Sequence, residues 1–281
     1  MLDAYARRKL VDVTVRSACV FAAVLALIPL GSVLYYVTAR GLGGLNWDFF
    51  TELPKPVGES GGGMANALVG SLKLVLLACV FGIPPGVLAG VYLNELGHNR
   101  FGKIVRFSAD VMSGVPSITV GIFVYALVVL TTKQFSALAG GVALAILMLP
   151  TVTRTTEELL KLVPESLREA ALGLGVPKWR ATLRVMLRTA APGIATGVML
   201  AVARVAGETA PLLFTAFNNR FWSSSLNEPT ASLPVNIYTY AVSPYEEWHR
   251  QAWAAALVLL LLVLLLNVSA RLLVRNRVGG Q

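Results

Sequence analysis

The chain has 281 residues, of which 56% are apolar and 14% charged, with a mean hydropathy of +0.67. A soluble domain carries about a quarter charged residues, so a single core cannot bury this much apolar surface and the bilayer is the natural solvent for the remainder. The net charge of +9 admits nucleic-acid binding or the cytoplasmic loops of a membrane protein, and the positions of the charges decide between them.

The first apolar stretch, 17–39, follows Arg7, Arg8, Lys9 and Arg16 and is uncharged up to Arg40. Its basic lead and the Val37-Thr38-Ala39 tripeptide also suit a secretory signal. A signal h-region is only about 7–15 residues long, shorter than this run, so a retained anchor is expected. The loop 40–66 is rich in Gly and Pro and holds Trp47, Phe49 and Phe50, which suit the membrane interface. Uncharged stretches follow at 74–94, 111–132 and 134–153. The next, 189–216, is interrupted only by Arg204 and Glu208, and 251–270 closes the series. A crossing needs about 20 mostly apolar residues, so the expected fold is an all-α integral membrane protein with six transmembrane helices. Residues 1–66 form a cytoplasmic tail, the first helix and an external loop. Residues 67–281 form a core of five helices with a long cytoplasmic loop at 154–189.

Basic residues alternate from side to side. Seventeen of the 24 Lys and Arg fall in the N-terminus, the second-to-third loop (Arg100, Lys103, Arg106), the loop 154–189 and the C-terminus (Arg271, Arg275, Arg277). Five lie on the other side: Arg40, Lys55, Lys133, Arg220 and Arg250. The positive-inside rule places both termini in the cytoplasm. It also accounts for the net charge, and no basic stripe with interleaved aromatics remains for nucleic acid. Cys19 and Cys79 sit in apolar runs and read as small apolar side chains. His98 and His249 are far apart and suggest no metal or catalytic pair.

The loop 154–189 carries its own structural signals. Pro164 suits the first turn of a short helix, and Glu165 and Glu169 suit its positive end. Leu167, Ala170, Ala171 and Leu174 make an apolar stripe at helical spacing. Gly173 or Gly175 supplies a left-handed cap, and Pro177 opens a second helix with Trp179, Leu183 and Leu187 on one side. An exposed amphipathic knob on a helical hairpin calls for a partner groove.

Glu169-Ala170-Ala171 with Gly175, Val185 and Leu187 resembles the EAA motif of ABC-transporter inner-membrane permeases. In that family the segment is the coupling helix that sits on the nucleotide-binding subunit. Arg188 departs from the pattern, where Pro is usual, and Pro192-Gly193 follows shortly. Residues 115–123, 203–212 and 233–238 are similar to signatures of the phosphate-specific (Pst) permeases, PstA-type subunit. The resemblance implies a type I ABC importer permease (MetI-like) fold in the bacterial inner membrane, and import of inorganic phosphate. It further implies a second, PstC-type permease subunit, a PstB-type ATPase dimer using ATP and Mg, and an external PstS-type phosphate-binding protein. The chain itself is expected to bind no cofactor and to catalyse nothing: it has no G-x-x-x-x-G-K-[ST] loop. A permease of the same architecture for another oxyanion or small solute is the alternative.

Charges and prolines inside the spans mark further candidates. Arg204 and Glu208 are four apart, which on one helix puts them on one face within reach of an ion pair. An intramembrane ionisable residue is functional by default, and the guanidinium fork suits phosphate oxygens, so the pair marks a substrate pathway. Its competitor is a structural ion pair. Lys73 is expected to snorkel to the headgroups. Pro84 and Pro85, and Pro116 with Ser117, interrupt two spans and are possible gate elements. Gly114, Gly121, Gly140 and Gly141 suit close helix packing. A membrane enzyme is disfavoured by the lack of a catalytic constellation, and an ion-driven transporter by the lack of inverted repeats.

Overall fold

The computed structural model describes residues 4–56, 59 and 61–278, and among these every regular element is a helix. In chain order they are α1 (Ala4–Leu42), α2 (Trp47–Thr51), α3 (Ala65–Glu95), α4 (Arg100–Gly114), α5 (Ser117–Thr132), α6 (Ala137–Lys161), α7 (Glu165–Gly173), α8 (Lys178–Ala206), α9 (Ala210–Thr215), α10 (Leu233–Ala241) and α11 (Glu246–Val278). Helices α1, α3, α6, α8 and α11 are long and apolar enough to cross a bilayer; α4 and α5, bent by 106° between them, make a sixth candidate. Short polar side chains start several helices by satisfying an unpaired first-turn N–H. Asn46 Oδ1 accepts from Phe49 N at 2.8 Å, Asn99 Oδ1 from Gly102 N at 2.8 Å, and Ser136 Oγ from Ala139 N at 3.1 Å. Two helices carry an internal π segment, Tyr125–Val129 in α5 and Thr182–Met186 in α8.

The core is built on α6, which α3 and α8 flank. Gly82, Gly86 and Gly90 line one face of α3. A Cβ there would stand 2.8 Å from Met148 Cε, 2.8 Å from Val152 Cγ1 and 2.5 Å from Thr156 Cβ. The rising pairs show that α3 and α6 run parallel, with backbones close enough that only hydrogen fits between them. Gly193 and Gly197 of α8 meet Leu159 and Thr155 on α6 in the same manner. Of the glycines expected at helix contacts, Gly121 lies against Pro211, Gly140 against Leu74, and Gly141 against Leu77, whereas nothing stands within 4 Å of Gly114. Helix α1 packs chiefly on α11, and Gly41 is the one residue buried among those described in it.

Several expectations are corrected. The second-to-third loop is the amphipathic helix α4; its charges hid it, because three cations in a short segment also fit a solvated loop. The third span is not one straight rod over 111–132, since the chain bends at Val115 and Pro116, where the missing N–H and the restricted residue before proline disfavour helix. Pro84 and Pro85 do not interrupt α3, which is helical from Ala65 to Glu95. Both are exposed on the face turned away from α6, where the proline rings displace no packed neighbour. The fifth span ends at Ala206 and not at 216, and Gly207–Thr209 separate it from α9. Lys73 does not snorkel: its Nζ donates to Ser223 O at 2.7 Å, pinning the segment 217–232 across the start of α3. Asn66 Nδ2 to Asn219 O (2.6 Å) and Leu233 N to Ser71 Oγ (2.7 Å) fasten the same end. For the basic C-terminal set, Arg271, Arg275 and Arg277 lie on helical backbone, and their side chains fall outside the described residues.

Candidate functional site

The hairpin at the far end of α6 has the shape its sequence predicts. Helix α7 starts after Pro164, which is the N-cap and not part of the first turn, and its carbonyl accepts from Leu167 N at 3.1 Å. It stops at Gly175, where φ is +75°, a value that costs an L side chain strain and glycine nothing. Gly175 N donates to Leu172 O (2.9 Å) and Val176 N to Ala171 O (3.1 Å), the two bonds of a Schellman turn. Ala171 is buried beneath the helix, while Glu169 and Ala170 are exposed and Leu174 is 85% exposed at the tip. The motif residues therefore sit on a rigid, closed turn with an uncovered apolar edge.

This helix is tied to the transmembrane core by charge. Arg168 Nη2 meets Glu95 Oε1, on the last residue of α3, at 2.5 Å. Between α7, the start of α8 and the lower half of α3 lies a cavity of about 640 Å³, edged by Tyr92, Leu172, Trp179 and Leu183. Just behind it is a cluster the sequence did not reveal. The Glu157 carboxylate on α6 is fully buried and held by Arg106 Nε (2.7 Å), Arg154 Nη1 (3.1 Å) and Lys161 Nζ (2.6 Å). Arg106 also donates to Gly97 O at 2.7 Å and Leu93 O at 2.8 Å, closing the last turn of α3. Arg154 forms a second ion pair with Asp110 on α4 at 2.7 Å. The available signal was the spacing of Arg154, Glu157 and Lys161, three and four apart. It was obscured because the segment read as loop, whereas α6 continues to Lys161.

At mid-height the chain breaks. Arg204 is in the last turn of α8, where the helix dipole favours a cation. Glu208 lies beyond the helix end, so the two side chains share no helical face and the expected ion pair is absent. Arg204 is exposed and Glu208 half-exposed; among the described residues neither side chain has a hydrogen-bond or salt-bridge partner. Their level is set by Val205 and Ala206, which pack into one cluster with Leu74, Ala78, Leu144 and Met148, in the middle reaches of α3 and α6. After the break, α9 lies against α5, with Pro211 on Gly121. The bend at Pro116 and Ser117 thus begins the helix that buttresses the break, whereas Pro84 and Pro85 face away on α3. Pro116 is exposed and Ser117 half-buried.

Residues 82–278 match the family of binding-protein-dependent transport system inner membrane components. The chain is 49% identical to the phosphate transport system permease protein PstA of Yersinia pestis, over 86% of this chain and 82% of that protein. It is 46% identical to the PstA of Xylella fastidiosa strain 9a5c, over 99% and 97%. Among solved structures, a chain of a bacterial alginate ABC transporter in complex with its periplasmic protein superposes with a TM-score of 0.68 at 15% identity, covering 98% of both chains. A chain of the inward-facing MetNI methionine ABC transporter gives 0.62 at 19% identity, covering 76% of this chain and 96% of that one. The fold is that of the MetI-like type I importer permeases.

Proposed function

Because the chain belongs to the binding-protein-dependent transport system inner membrane components, and among them to the PstA-type phosphate permeases, we propose that α7 is the contact through which a separate ATPase drives it. The chain is a multi-pass inner-membrane permease subunit of a phosphate importer. Its working complex is read as one PstC-type permease, two PstB-type ATPase subunits that use ATP and Mg, and an external PstS-type binding protein. This chain supplies neither cofactor nor catalysis. Both termini face the cytoplasm, with α7 on the same side, in keeping with the distribution of Lys and Arg.

The observation that carries the coupling role is the closed turn of α7. Glu169, Ala170 and Leu174 are uncovered on a helix whose end is locked at Gly175, so a partner meets a preformed surface and pays little ordering entropy. The pathway reading rests on Arg204. A charge near the bilayer centre costs about 2.5–3.5 kcal/mol on insertion scales, and this one is not neutralised by Glu208. A guanidinium left unpaired at a helix break can accept and release a phosphate oxyanion between two subunits. Co-purification with a tagged copy tests the assembly, and a second six-span permease and an ATPase are the expected companions. Vesicle uptake of labelled phosphate, competed with molybdate and sulfate, tests the substrate; equal competition by either overturns phosphate selectivity.

A further inference from the structure

Among the described residues, Glu157 is the carboxylate with the most ionic partners, three cations. We propose that Glu157 is a positioning residue for energy coupling: it locks the ends of α3, α4 and α6 into one block that α7 grips through Arg168 and Glu95. The proposal rests on the reading of α7 as the ATPase contact.

The connection can be followed bond by bond. Arg168 on α7 holds Glu95, which ends α3. Two residues to either side of Glu95, Leu93 O and Gly97 O are held by the Arg106 guanidinium of α4. The same guanidinium binds Glu157 of α6, which also holds Arg154 and Lys161, and Arg154 returns to α4 through Asp110. Three separate helices are thereby crossed by charge-assisted bonds, and the carboxylate at their centre is inaccessible to water.

A solvated ion pair would slip under load, because water competes for each partner. The Glu157 carboxylate is shielded from that competition, and it keeps Arg106 and Arg154 beside it even where the exposed Lys161 turns to water. The carboxylate thus holds α4 against α6 under a load that a solvated pair would not bear. Sideways movement of α7 then displaces α3 directly, and α4 and α6 with it. Helix α4 leads through the bend at Pro116 to α5, which buttresses the break after Arg204. Spatial continuity alone is not coupling, so the test measures interaction between the residues.

The assembled importer is reconstituted in proteoliposomes, and phosphate taken up per ATP hydrolysed is read together with the amount of ATPase subunit retained. Glu95→Arg and Arg168→Glu alone are each expected to lower the ratio about tenfold or more, within the usual range of coupling between sites, with the ATPase subunit still bound. The double exchange E95R/R168E is expected to recover most of the loss. Glu157→Gln, which keeps size and loses charge, is expected to lower the ratio more than Glu157→Asp, which keeps charge. Single exchanges that leave the ratio unchanged overturn the proposal, as does a double exchange no better than the singles. A Glu157→Gln ratio equal to the parent's overturns the role of Glu157. Should the Glu157 variants not accumulate in the membrane, Arg106→Lys takes their place, since it keeps the charge and loses the fork to Leu93 O, Gly97 O and Glu157. An unchanged ratio there overturns the role equally. An Ala170→Asp variant separates the two readings. If it abolishes uptake while the exchanges do nothing, the relay is wrong and the docking site stands. If it also leaves uptake and ATPase binding intact, the docking reading itself fails.

Discussion

Arg204 occupies the last turn of α8 and Glu208 stands two residues beyond that helix's end, so the two charges face the bundle surface separately and not as a pair. Arg204→Ala is therefore expected to cut phosphate uptake at least tenfold, a loss of about 1.4 kcal/mol or more, with complex assembly unchanged. Stability should move by no more than about 0.5 kcal/mol, because the side chain holds nothing in its own subunit. Glu208→Gln should be milder in uptake, since no partner is orphaned. Labelled uptake in vesicles and a detergent melt measure both; normal uptake with Arg204→Ala sinks the pathway role.

Gly175 is the left-handed residue that closes α7. Gly175→Ala should cost about 1–2 kcal/mol locally and loosen the two Schellman bonds to Ala171 and Leu172. Faster hydrogen exchange confined to α7, with weaker ATPase stimulation and intact membrane insertion, is the expected result. Unchanged exchange at Val176 would show that the turn does not depend on this residue.

The contact of Gly86 with Val152 tests the packing of the core. Gly86→Leu should destabilise by about 1–3 kcal/mol through overpacking, because a Cβ there already stands 2.8 Å from Val152 Cγ1. Adding Val152→Ala should return part of the loss, a non-additive result expected only of residues in contact. Thermal unfolding of the four forms in one detergent measures it.

Lys73 anchors the outer segment by its bond to Ser223 O. Lys73→Met removes a charge-assisted bond worth about 1.5–3 kcal/mol while keeping the apolar stem. Limited proteolysis from the external side should then cut within 217–232 faster than in the parent. An unaltered cleavage rate would return Lys73 to the headgroups.

The bundle was legible because charges punctuate it: Arg40, Lys73, Glu95, Asp110 and Lys133 bracket the early spans. The EAA hairpin was legible because its capping residues act locally, within one turn. What escaped depends on distant partners. Arg106 looked like one more loop cation until α6 brought Glu157 beside it. The residues of 210–216 looked like continuing helix because they prolong the apolar run, although Gly207 and Pro211 are the local marks of the break. The proline pair misled in the opposite sense: Pro84 and Pro85 each delete a donor, but on the exposed side of α3, where the helix absorbs the loss.

The glycine seam between α3 and α6 also sorts the molecule by stiffness. Two helices in backbone contact can neither slide nor roll by small steps, since each notch admits one partner only. They behave as a plank. Compliance is left to the places where the regular ladder is already broken: the π segments Tyr125–Val129 and Thr182–Met186 and the interval Gly207–Thr209. These lie on α5, at the foot of α8 and at its head, so on the coupling proposed above a stroke arriving at the plank would be turned into rotation about these points, swinging the segment that carries Arg204 while the seam stays shut.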